Sequence, residues 1–180
     1  RESDRIGLVV FANDAFQVAP PTLNYEILQD IVDEIRLATE IGIQDGSAIG
    51  LGIASAANML RSSTSLSQVI ILLTDGENNV GSIDAVSAAQ AASALGFRIY
   101  TIGIGQRGVF PVTQPDGTVE NITSNLDETQ LRQIAQIGEG EYFYAADLES
   151  LQAIYDQIDR LERSPITRQQ FTRWQDLADP

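Results

Sequence analysis

Gln68 to Asn79, QVIILLTDGENN, is the stretch whose reading decides the fold. Val69 to Leu73 is an unbroken apolar run without alternation, which predicts a strand covered on both faces, as in a parallel sheet. Asp75-Gly76 follows at once and predicts a turn. In a parallel α/β sheet, ligands bind at the carboxyl ends of the strands, so Asp75 is the first residue to suspect of function.

Outward from this strand the chain alternates between two patterns. Ile6 to Phe11 (IGLVVF) and Phe97 to Ile104 (FRIYTIGI) read as further buried strands, and Tyr142 to Ala145 as a last short strand. Phe16 to Ala19 reads as an edge strand that Pro20 and Pro21 terminate, because proline cannot donate to a ladder. Helical spacing marks Tyr25 to Ala38, through Leu28, Ile31, Val32 and Ile35, and a second helix through Ile49, Ile53, Ala56 and Leu60. Asp45 or Ser47 is expected to cap the second. Ala85 to Leu95 is an alanine-rich helix that Gly96 ends, and Asp127 with Gln130 resembles a capping box ahead of Leu131, Ile134 and Ala135. Leu148, Leu151, Ile154, Ile158 and Leu161 stripe a last helix before Pro165. Between residues 106 and 125, Val109 to Thr113 and Thr118 to Ile122 flank Pro115-Asp116-Gly117, a β-hairpin insertion. Strands alternating with helices of this length predict an α/β fold, a doubly wound and mostly parallel sheet with helices on both faces.

The 180 residues suit one domain. Acidic residues outnumber basic ones 25 to 11, a net charge of -14 that argues against nucleic acid or an anionic membrane surface as partner. Such a charge attracts cations or basic surfaces, or serves solubility alone. The chain has no Cys, His or Lys, which removes thiol, imidazole and Schiff-base chemistry and the usual zinc ligands. No apolar run approaches the ~18 residues of a membrane span.

Three motifs fail on context. Gly103-x-Gly105-x-x-Gly108 has the letters of a dinucleotide fingerprint, but Val109-Phe110-Pro111 follows where a helix must start. Asp75 to Asn79 spaces its oxygens like a calcium loop, yet Val80 and Val86 stand where the glycine and the bidentate Glu belong. Asn121-Ile122-Thr123 is a formal glycosylation sequon, a triplet that also arises by chance. What remains is Ser47 at a helix start and Asp75 at a strand end. Their hydroxyl and carboxylate can share the carboxyl edge of the sheet and suit a hard cation; equally, Ser47 can be a cap and Asp75 a turn former.

DRIGLVVFA at Asp4 to Ala12, DGSAIGLGI at Asp45 to Ile53, VIILLTDGENN, RIYTIGIG at Arg98 to Gly105, IYDQIDRLE at Ile154 to Glu162 and FTRWQDL at Phe171 to Leu177 together resemble the von Willebrand factor A domain. The subtype they resemble is that of the bacterial BatA and BatB membrane proteins of the aerotolerance operon. The resemblance implies a domain over residues 1–163 and an extended juxtamembrane tail over 164–180. It implies a tether in the bacterial inner membrane and a periplasmic position for the domain. It also implies a metal-ion-dependent adhesion site, built from three loops and holding Mg²⁺ or Mn²⁺. Ser47 matches the family's second-loop Thr and Asp75 the Asp of its third loop. The first loop, Asp-x-Ser-x-Ser, is absent, and Ser63-x-Ser65-x-Ser67 lacks the leading Asp. The chain thus looks like a family member without its first strand and helix, a fragment or one whose gap a separate segment fills. Such a sheet is expected to show unpaired edges, and two ligands rarely hold Mg²⁺.

By the same resemblance the function is a non-enzymatic protein–protein interaction module. Its partners are other Bat components and a MoxR-type AAA ATPase. A scaffold of the same fold without metal is the alternative, and a carboxylate-based enzyme using Asp75 and Glu77 is a third reading.

Overall fold

The computed structural model describes residues 4–36, 40, 42, 46–65, 67–76, 80–105, 108–113, 118–123 and 126–162. The opening segment forms strand β3 (Val69–Thr74), which pairs in parallel with β4 (Arg98–Ile104), and β4 pairs in parallel with β7 (Tyr142–Ala145). Ahead of them, β1 (Ile6–Phe11) and β2 (Ala15–Thr22) make an antiparallel hairpin of their own. The two sheets share no ladder among the described residues. The chain is therefore α/β with a parallel core, divided between β1 and β3.

The reach of β2 corrects one expectation. Pro20 and Pro21 lie inside the strand, because its register with β1 skips there: Leu8 faces Ala19 and Ile6 faces Thr22, so three steps on β2 match two on β1. A bulge needs no ladder donor, which is where proline is tolerated. β1 also departs from the reading as a strand buried on both faces, since its residues are half-buried or exposed.

Helix α1 (Tyr25–Glu34) is shorter than its apolar pattern predicts and ends where Ile35 turns extended. Asn24 caps it. Helices α2 (Ile49–Leu60), α3 (Ala85–Ala94) and α4 (Glu128–Ile137) share one face of the parallel sheet. Ile49, Ile53, Ile70, Leu72, Ile99, Leu131 and Ile134 fill the core between them. Each such side chain contributes roughly 2–3 kcal/mol by leaving water. Ala85, Ala88, Ala89 and Ala92 are buried, so the small side chains of α3 let the helices approach closely. Helix α5 (Leu148–Leu161) lies on the opposite face, where Ile154 and Ile158 meet Tyr100, Ile102 and Ala145.

The expected insertion hairpin is present as β5 (Val109–Thr113) against β6 (Val119–Thr123); its Pro115-Asp116-Gly117 turn lies outside the described residues. Gly105 and Gly108 have positive φ and lead into β5, which confirms them as turn glycines. Asp127 accepts from the Gln130 amide at 2.9 Å, but Gln130 Oε1 accepts nothing in return, so the capping box is only half made. The complete box is at α5, where Asp147 and Ser150 bond each other reciprocally. The tail from residue 163 on lies outside the described residues.

Candidate functional site at the carboxyl edge of the sheet

β1 and β3 both end beneath the amino terminus of α2. The Ala48 amide donates to Ala12 O at 2.8 Å, just beyond β1. A Cβ built on Gly76, just beyond β3, would lie 3.3 Å from Ser47 Oγ. The fold thus brings the two expected residues to one edge: the Ser47 hydroxyl lies against the backbone that immediately follows Asp75. Asp75 is exposed and Ser47 half-buried.

Ser47 does not cap α2, contrary to expectation. The N-cap position is Ala48, which makes no side-chain cap hydrogen bond, and Asp45 lies outside the described residues. Local packing explains the displacement. A Cβ on Gly50 would fall 2.0 Å from Ile83 O, and one on Gly81, at φ +105°, would fall 3.0 Å from Ala48 Cβ. The first turn of α2 is pressed directly on the backbone of residues 81–84, which sets where the helix begins. Thr74, buried at the end of β3, accepts from the Gly76 amide through Oγ1 at 3.3 Å and shapes the turn that presents Asp75. Gly50, Gly76 and Thr74 are positioning residues that periodicity alone does not distinguish from ordinary helix and strand positions.

Other carboxylates beside the sheet are engaged elsewhere. Asp84, Asp127 and Asp147 each cap their own helix. Bonds from the Ser87 amide and hydroxyl hold Asp84 below the usual carboxylate range, and the Ser150 hydroxyl and amide do the same for Asp147. Glu77, the proposed partner of Asp75 in an acid–base pair, lies outside the described residues. The donor chemistry of Ser47 and Asp75, one hydroxyl and one carboxylate, fits a hard cation such as Mg²⁺ or Mn²⁺. Their number falls short, since no three acidic side chains converge among the described residues.

At the opposite pole, where Ser63 and Ser65 bond each other, a different cluster forms. The Glu162 carboxylate accepts from Arg98 Nη1 and Tyr100 Oη, each at 2.7 Å, and from Ser67 Oγ at 2.9 Å. Burial opposes ionisation of Glu162, but these bonds outweigh it and hold its pKa below the usual value. Burial and the neighbouring Glu162 push the Tyr100 phenol up to about 12. Its partners lie 62 to 95 residues away, so no local pattern in the sequence marks this cluster.

Residues 1–157 match the model of the von Willebrand factor type A domain, and the chain belongs to that family. Within the family it is of the Bat type. It is similar to BatB from Bacteroides thetaiotaomicron, with 29% identity and a TM-score of 0.71 over 89% of this chain and 80% of that one. An uncharacterized protein of Borreliella burgdorferi is 40% identical over 112 residues, 62% of this chain and 32% of that protein. The chain spans from about a third to half of the length of the curated relatives it matches. Proximal thread matrix protein 1 from the mussel byssus shares the fold at 21% identity and a TM-score of 0.64, over 87% of this chain and 34% of that one; its structure has a zinc-occupied adhesion motif.

Proposed function

We propose that this domain is a non-enzymatic protein-interaction module in which Ser47 and Asp75 are two ligands of a metal-ion-dependent adhesion site. The observation that carries the reading is the closeness of the Ser47 hydroxyl to the turn after Asp75, at the edge where β1, β3 and the start of α2 meet. Mg²⁺ or Mn²⁺ is the cation the donors suit. A bound cation compensated by a single carboxylate stays electron-poor and attracts an acidic side chain of a partner protein. The residues left to complete the site are oxygen ligands from a further loop at the same edge.

Family resemblance supports a Bat-type membrane-anchored protein, tethered beyond residues 164–180 in a bacterial inner membrane with the domain on the periplasmic side. It also supports other Bat components and a MoxR-type AAA ATPase as partners. No helix of the described residues is long and apolar enough to cross a membrane. A metal-free scaffold of the same fold is the second reading, favoured by the lack of three converging acidic side chains among the described residues.

Thermal melts of the full-length polypeptide in Mg²⁺, Mn²⁺ and EDTA separate the two readings. Cation at ~100 times its Kd should add ~2.7 kcal/mol, and Asp75→Ala should abolish that gain. Identical melts in Mg²⁺, Mn²⁺ and EDTA sink the adhesion-site reading in favour of the scaffold.

A further inference from the structure

Pro111 decides which edge of the β5–β6 ribbon can take a further strand. Proline has no amide to donate, so a ladder tolerates it where its nitrogen faces away from the partner strand. Pro111 stands opposite Asn121, and the backbone groups of both therefore point outward. By alternation Phe110, Val112, Glu120 and Ile122 make the ribbon's own bonds, while Val109 and Thr113 on β5 and Val119 and Thr123 on β6 present theirs outward. The outer edge of β5 thus lacks a donor at its centre. That of β6 is unbroken, with an amide and a carbonyl at each of Val119, Asn121 and Thr123, and it pairs with nothing among the described residues.

The ribbon is rooted at both ends and bare along its length. At one end the Tyr144 hydroxyl donates to Gly105 O and the Gly105 amide to Ala145 O; at the other, Asp127 caps α4 a few residues after β6. Between these roots β5 and β6 meet each other and, among the described residues, no other element extensively. Val119 is 66% exposed, and Asn121 is exposed as well. Two strands by themselves are marginal in water, and a third is what ordinarily makes such a ribbon stable.

We propose that the outer edge of β6 is a strand-addition site for an extended, basic segment of another protein. In this mode main-chain hydrogen bonds supply the affinity and alternate side chains the specificity. Charge selects the occupant. Residues 109–123 hold two carboxylates, Asp116 and Glu120, and no basic residue, in a chain of net charge -14. A second copy would bring the same charges to the same edge, and like charges across a ladder are destabilising. A segment with arginine or lysine at alternate positions meets opposite charge instead. The ribbon also stands at the candidate site: Thr74 pairs with Gly103, which places Asp75 level with Ile104, just ahead of the Gly105 root. Strand addition nevertheless uses backbone groups alone and requires no cation, so it stands apart from the adhesion-site reading.

The test uses the full-length polypeptide in EDTA and a labelled nine-residue peptide in which valine and threonine alternate with arginine. Fluorescence anisotropy should show saturable binding that salt weakens. The same peptide with glutamate for arginine should bind at least about tenfold more weakly. Hydrogen exchange should slow at Val119, Asn121 and Thr123 when the arginine peptide is bound. Asn121→Pro removes the central donor of this edge without taking a bond from the ribbon, and should abolish binding while the Glu120 and Ile122 amides stay protected. Thr113→Pro alters the β5 edge in the same way and should leave binding unchanged. A peptide N-methylated at every residue keeps the charge but cannot donate, and should fail on the unmutated protein whatever Asn121→Pro does to the fold. No binding at millimolar arginine peptide overturns the proposal, as does equal binding of the acidic or N-methylated peptide. So does binding that survives Asn121→Pro or is lost in a folded Thr113→Pro. Slowing at the three amides that grows with protein concentration, without peptide, makes a second copy the occupant and also overturns it. Binding retained in Asp75→Ala, with melts that ignore Mg²⁺ in the parent protein, keeps the strand-addition site and rejects the metal site.

Discussion

Gly50→Ala sets two magnitudes against each other. By intrinsic propensity, alanine in a helix is better than glycine by about 1 kcal/mol. By packing, the new methyl falls 2.0 Å from Ile83 O and 2.8 Å from Ile83 C, backbone atoms that no rotamer change can move. Restoring ordinary contact requires α2 to back away by more than an ångström. A radial gap of about 0.5–1 Å already forfeits a quarter to a half of a contact's attraction. Ile49 and Ile53, both fully buried on α2, each contribute about 2–3 kcal/mol, and their share of the loss together with the strain of overpacking comes to about 3–4 kcal/mol. The net expectation is a destabilisation of about 2–3 kcal/mol. Urea unfolding of the parent and variant measures it, with Asn58→Ala on the exposed side of the same helix as control. The control should gain a few tenths of a kcal/mol. If Gly50→Ala is as stable as the control, the close approach of α2 to residues 83–84 does not position this helix, and the account of Ser47 fails with it.

Glu162→Gln keeps acceptors for Tyr100 and Ser67 but removes the charge facing Arg98. Because the folded pKa of Glu162 is lowered, its stabilisation is present above about pH 4.5 and is lost as pH falls through the lower folded value. Urea midpoints followed down to pH 3 should fall less steeply in Glu162→Gln, and parallel curves count against the cluster. Burial and Glu162 push the Tyr100 phenol up to about 12, so spectrophotometric titration should show a phenol component near that pH that is absent in Tyr100→Phe, and an unchanged curve in the variant counts against the cluster. The raised value also means that its contribution to stability is present below pH 10 and fades between pH 10 and 12. Glu139 sits at φ +53° in the turn after α4; Glu139→Gly should stabilise by up to about 1 kcal/mol in the same urea assay, and a loss of stability contradicts the strain.

Much of the architecture was legible because periodicity and apolar runs are local. β3, β4, β7, α3, α5 and the β5–β6 hairpin stand close to where their patterns predict them. Misreadings arose where a distant partner overrode the local rule. Pro20 and Pro21 end a strand by local chemistry, but a bulge opposite Ile6–Leu8 absorbs them. Ser47 is a good cap by residue type, but the pressing of Gly50 on Ile83 starts α2 later, at Ile49, with Ala48 in the cap position.

The sequence by itself determined the α/β class, the family and the candidacy of Asp75 and Ser47. Each rests on residues close together in the chain: an apolar run that delivers an aspartate, a hydroxyl beside a helix start, ordered blocks of family likeness. Only the tertiary structure decided that the Ser47 hydroxyl lies against the turn after Asp75, and that β1 and β3 both end beneath the start of α2. It alone assembled Glu162 with partners 62 to 95 residues away. Those facts depend on which backbone edges are paired and on sub-ångström steric limits, and neither is encoded in any local window of the chain.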